Sequence, residues 1–210
     1  MTQLFARITQ PILLVVLMVF GAAPTGLLAA PEPEPVPRRW QLDVEPGELH
    51  VTVVNLPSGP QAYFYLPYMV TNNSGEDVYF APTFNLYTPD DGSLVRSGRG
   101  IPREVTEHVL AELRNELVQD DIRVQGLLLQ GREYAREGVA IWPANNLKVD
   151  DILIFATGFS GETRRIVRPD NGETQILRKT LMLQHYVPGD IDPTRREPIA
   201  RMGDGRWILR

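Results

Sequence analysis

The sequence contains no cysteine. That excludes disulfides, thiolate metal sites, a cysteine nucleophile and anchoring through an acylated cysteine. Lysine is nearly absent as well: of 21 basic residues, 19 are arginine, and only Lys148 and Lys179 are lysine. Histidine occurs three times, at 50, 108 and 185, with no two close enough in the chain to form a local pair of metal ligands. Long apolar runs are confined to the N-terminus. Stability must therefore come from an ordinary hydrophobic core, which a chain of 210 residues is long enough to bury as a single domain.

Arg7 is the only charged residue in 1–30, and Ile12 to Ala23 are continuously apolar or small. A short positive region followed by an apolar run is the pattern of an export signal. Gly21 and Ala23 offer a small-x-small cleavage site ahead of Pro24, and a cut after Ala29 would place Leu27 at the minus-three position. The expectation is a cleaved signal peptide over 1–30 and a periplasmic or secreted domain. The alternative is an uncleaved anchor over 11–30, since about 20 apolar residues reach across a ~30 Å hydrocarbon layer. With Arg7 on the cytoplasmic side, either version places the rest outside.

Residues 31–210 carry 20 basic and 26 acidic side chains, a net charge of −6. Nucleic acid is excluded as the expected partner. Pro31, Pro33, Pro35 and Pro37 alternate with Glu32 and Glu34 in a stretch, 31–39, that reads as a stiff, solvated spacer.

From Trp40 onward the pattern is that of strands and turns. Trp40, Leu42 and Val44 alternate, Pro46-Gly47 turns, and Leu49, Val51 and Val53 alternate again. Ala62–Asn72 and Val78–Tyr87, cut by Asn72-Asn73-Ser74-Gly75 and Pro89-Asp90-Asp91-Gly92, read as hairpin strands. Pro67 and Pro82 are expected at edges, bulges or strand breaks. The period then changes: Val105, Val109, Leu113 and Leu117 are four apart, which predicts one amphipathic helix over about 102–118 with Pro102 in its first turn. Strand grammar resumes at 122–130, 138–142, 151–159, 164–168 and 174–187. Ile152 to Phe155, apolar on both parities, predicts a central strand covered on two faces. The stretch 188–210 reads as an irregular extension whose Trp207-Ile208-Leu209 docks as a last strand.

Short strands at such intervals with one inserted helix predict a mainly β, antiparallel β-sandwich over 40–210. The run Tyr68 to Gly75, then Val78-Tyr79-Phe80 and Asp90-Asp91-Gly92, resembles the B-C-C′ region of bacterial extracytoplasmic immunoglobulin-like domains. Gly138–Trp142 and Asp151–Phe155 resemble the paired strands that close such sandwiches. The resemblance implies an immunoglobulin-like fold and brings no functional residues with it.

Each chemical motif has a structural reading beside it. His185 shares strand parity with Leu181, Leu183 and Val187, which reads as a core-edge residue rather than a ligand; His50 shares parity with Thr52; His108 flanks the helix stripe. A metal site would need the fold to bring them together with carboxylates. Gly158-Phe159-Ser160-Gly161 lacks the second spaced glycine and the strand-turn-helix setting of a nucleophile elbow. The pairs Asp90-Asp91, Asp120-Asp121, Asp150-Asp151 and Asp190-x-Asp192 do not match calcium-loop spacing, and a glycosidase-type carboxylate pair is defined only by separation in space. Trp40, Trp142, Trp207 and Tyr63, Tyr65, Tyr68, Tyr79 and Tyr87 form either a ligand platform or core. The sequence names no catalytic, cofactor or metal residue. The expected function is a non-enzymatic envelope binding or structural module whose partner is an envelope or extracellular protein or glycan, with membrane contact only through the N-terminal segment. The alternatives are a hydrolase or metal-dependent enzyme assembled only in three dimensions, and an inhibitor-like or chaperone-like sandwich presenting Asn55 to Gln61.

Overall fold

A computed structural model describes residues 30–195 and 197–210. The expected export segment therefore lies outside the described residues except for Ala30. Among the described residues, no helix is long and apolar enough to cross a membrane.

The protein is mainly β. Strand β1 (Asp43–Pro46) and strand β2 (His50–Leu56) do not pair with each other; both lie antiparallel along one edge of the long β3 (Gly59–Asn72). Pro67 sits within β3, opposite the gap between them. In an antiparallel strand a residue's N–H and C=O point to the same edge, so the donor Pro67 lacks would face the irregular Gly47–Leu49 segment. Its carbonyl accepts the Gly47 N–H at 2.8 Å. The other edge of β3 pairs with β9 (Gly131–Pro143), and β7 (Val118–Gln119) adds to β9 in parallel. In the second sheet, β5 (Thr83–Thr88) lies between β6 (Ser93–Arg96) and β10 (Asp151–Thr157). Strand β12 (Thr174–Tyr186) pairs with β10 and β11 (Thr163–Val167) along one edge and with β13 (Arg206–Leu209) along the other. A short ribbon joins β4 (Val78–Phe80) to β8 (Gly126–Leu128).

The two large sheets face one another because alternate residues of each are apolar. Phe64, Leu66, Tyr68 and Val70 from β3 and Trp142 from β9 meet Phe84, Leu86, Ile152, Ile154, Leu181 and Leu183 in one buried cluster. Phe84 is central, its ring 4.7 Å from Tyr68, 5.6 Å from Phe159 and 6.5 Å from Trp142, with the last two edge-on. The opposite face of the first sheet carries Tyr63, Tyr65, Val139 and Ile141, and helix α1 (Arg103–Leu113) covers it through Val105 and Val109, both fully buried.

Several expectations are corrected. The segments 138–142 and 151–155 do not pair but lie in opposite sheets. Val78–Tyr87 is two strands, broken at Ala81-Pro82, that join different partners. The 122–130 segment is a turn followed by β8. The helix stops at Leu113, where Arg114 adopts the left-handed conformation (φ 52°), and Leu117 is 70% exposed rather than on the buried stripe. The Asn115 side chain accepts the Leu117 N–H and so turns the chain toward β7.

Candidate functional site

Where α1 ends, the chain must return to the sheet, and that return builds a cleft. After β7, the Asp120 carboxylate accepts the N–H groups of Ile122 at 2.9 Å and Arg123 at 2.8 Å, closing a tight turn. The turn sends Asp121 inward. Across from it, Gly98 donates its N–H to Ile141 at 3.0 Å and holds φ +71°. A Cβ at position 98 would stand 2.5 Å from Asp121 Oδ2, so glycine serves both the backbone conformation and the space.

The cleft measures about 400 Å³ and has an apolar floor of Ile101, Val139 and Ile141, with Asp121 at its base and Arg103 and Arg123 at its rim. Burial pushes the Asp121 carboxyl up to about 6; the Ser97 hydroxyl and Arg96 guanidinium draw it down, while Asp120 adds to the rise. Its neighbour in the core, Tyr68, is 3% exposed, and its hydroxyl is buried without a hydrogen-bond partner among the described residues. Burial, with the Asp121 charge second, holds that phenol above its ordinary range.

A carboxyl with a raised folded pKa binds its proton more readily in the folded chain than in the unfolded one. Its contribution to stability is present below about pH 4 and lost as pH rises through about 6. Asp121→Asn should accordingly stabilise the protein by about 2 kcal/mol at pH 7 and be nearly neutral at pH 3.5. Urea denaturation of the two proteins at both pH values measures this.

The fold brings His50 and His108 together but leaves His185 elsewhere. The His50 ring stacks on Tyr65 at 5.2 Å, and His108 Nε2 lies 3.3 Å from Thr52 Oγ1 and 3.7 Å from Glu112 Oε2. Burial lowers the His50 pKa against the opposing charges of Glu48 and Glu112. This cluster lies between β2 and α1, which supplies His108 and Glu112, and no histidine lines the Asp121 cleft. His185 is fully buried between the sheets. No group of three or more His, Asp or Glu side chains among the described residues is arranged to hold a metal.

The other candidates have structural roles. Ser160 accepts the Glu162 N–H in a turn. Asp90 accepts the Asp150 N–H, Asp91 accepts Thr88 and Ser93, and Asp192 accepts Thr194. Trp142 and Tyr63, Tyr65 and Tyr68 are buried, Trp40 packs on Gly161, and among these aromatics Tyr79 is exposed, at 71%. Asn55 to Gln61 are the paired ends of β2 and β3 and the tight Pro57-Ser58 turn between them. Sequence reasoning named Asp121 only as one of four acidic pairs and missed Gly98, Arg103 and Arg123 as its surroundings. Comparison with protein-family models, with characterised proteins and with solved structures finds no match to this chain.

Proposed function

We propose that the chain is an exported, non-enzymatic binding module of the cell envelope, built as an immunoglobulin-like sandwich, that takes its ligand in the Asp121 cleft. The carrying observation is the pairing of an apolar-walled cleft of ligand size with one half-buried, proton-shifted carboxyl. The chemistry favours a segment of an envelope protein or peptide that places an apolar side chain against Ile101, Val139 and Ile141 and directs an N–H or O–H donor at Asp121. Acid–base catalysis would ask for a second carboxylate free to act. Oδ1 of the adjacent Asp120 is committed to the turn backbone.

Ile122, 81% exposed at the cleft mouth, is the place to test this. A photo-crosslinking residue at 122 in the exported full chain should trap an envelope component, and Asp121→Asn should reduce the yield at least fivefold. An undiminished yield with Asp121→Asn contradicts the cleft. Full-length chain retained in the cytosol contradicts export.

A further inference from the structure

Strand β10 is apolar on both parities, yet its two faces meet different surroundings. Ile152 and Ile154 point into the sandwich; Leu153 and Phe155 point out of it, between Tyr87 and Gln184 and between Asn85 and Met182. The helix covers the other sheet. Phe155 is nonetheless 9% exposed, because the Arg210 guanidinium lies 3.9 Å from its ring centre. The register of the neighbouring strands places Arg96, Arg165, Arg178, Arg206 and Arg210 on this same outward face, and all five are exposed. None of them enters an ion pair among the described residues. One outward strand carboxylate accompanies them, Asp151, and it accepts a hydrogen bond from Gln184. A domain of net charge −6 has thus gathered five arginines against one strand carboxylate on one face of a sheet. At the margins of that face stand exposed aliphatic side chains: Leu94 at 52%, Val167 at 65% and Ile176 at 55%.

We propose that this face docks on an anionic phospholipid surface, the guanidiniums engaging phosphates and Leu94, Val167 and Ile176 entering the headgroup layer. Charge complementarity requires an anionic occupant, and the planar guanidinium matches phosphate geometry. The aliphatic margin distinguishes a lipid surface from an anionic glycan. Sugars are gripped by exposed aromatic faces; that of Phe155 is already occupied by Arg210, and the exposed Tyr186 stands opposite the carboxylate Asp151 at the end of β12. The inference does not rest on residues 1–30 or on occupancy of the cleft, with which this face shares only the charge of Arg96.

The test is partition of the full chain onto vesicles of pure phosphatidylcholine and onto vesicles containing about a third phosphatidylglycerol, in 0.1 M salt. The wild type should prefer the anionic vesicles at least tenfold, since each arginine near such a surface contributes about fivefold. Arg165→Glu, Arg178→Glu and Arg206→Glu together should abolish the preference, while Arg38→Glu with Arg39→Glu, elsewhere on the surface, should retain most of it. Ile176→Ser, which leaves every charge in place, should weaken anionic partition severalfold. Equal partition of the wild type onto both vesicles overturns the proposal. So does an unchanged preference in the triple variant, or retention on a soluble anionic polysaccharide with none on vesicles.

Discussion

Replacing His185 with leucine should stabilise the protein increasingly as pH falls, by about 3 kcal/mol more at pH 4 than at pH 7 relative to wild type. His185 is fully buried, and burial with the Arg201 charge lowers its pKa to about 4 against the opposing pull of the Ile152 backbone. The unfolded chain binds this proton near pH 6.5 and the folded chain only near 4, so stability present above 6.5 is lost as pH falls between them. Asp121 acts with the opposite sign over nearly the same interval, its folded pKa standing at about 6 against an ordinary 3.8. The two slopes run in opposite directions and largely offset each other between pH 4 and 6. Each single variant unmasks the other group: His185→Leu should become less stable as pH rises through 6, and Asp121→Asn less stable as pH falls through 5. Denaturant midpoints at half-unit pH steps read both.

Lys179→Met should destabilise the protein by about 3–5 kcal/mol, and pairing it with Glu162→Leu should recover most of that loss. Lys179 Nζ lies 2.9 Å from Glu162 Oε2, and the two side chains are 3% and 11% exposed. The pair also fastens the start of the domain: Glu162 Oε1 accepts the Glu34 N–H at 2.9 Å, and the Glu34 carbonyl lies 3.4 Å from Lys179 Nζ. Burial alone would raise the Glu162 carboxyl, but the Glu34 N–H and the Lys179 ammonium outweigh it and hold it below its ordinary value. Removing only the ammonium leaves a buried carboxylate whose remaining partner is a backbone amide. Removing both charges takes away the desolvation cost together with the attraction. Trp207, whose ring centre is 5.7 Å from Lys179 Nζ, gives a fluorescence signal for the same unfolding transitions.

What the sequence made legible was local. Alternation located most strands, the four-residue period located α1, and Pro82 marked a true break because its missing donor ends the ladder there. Pairing was not legible, since it is decided between segments far apart in the chain. Nothing in Asp43–Pro46 and His50–Leu56 says that both lie along β3 rather than against each other. Nothing in Gly138–Trp142 says that it lies across the core from Asp151–Phe155. The helix overran its true end because Leu117 keeps the four-residue period while Asn115 and Arg114 turn the chain away. Among the acidic pairs, Asp120-Asp121 reads like Asp90-Asp91. The difference arises only when Gly98, 23 residues earlier in the chain, packs against Asp121 and leaves it half-buried.

The claim that Asp121 is a half-buried, ligand-directed carboxyl is most directly tested by following its side-chain ¹³C resonance through a pH titration, assigned by its loss in Asp121→Asn. A midpoint near 6 is predicted. A midpoint at or below 4 would place the carboxylate in open solvent and remove the cleft as the functional site.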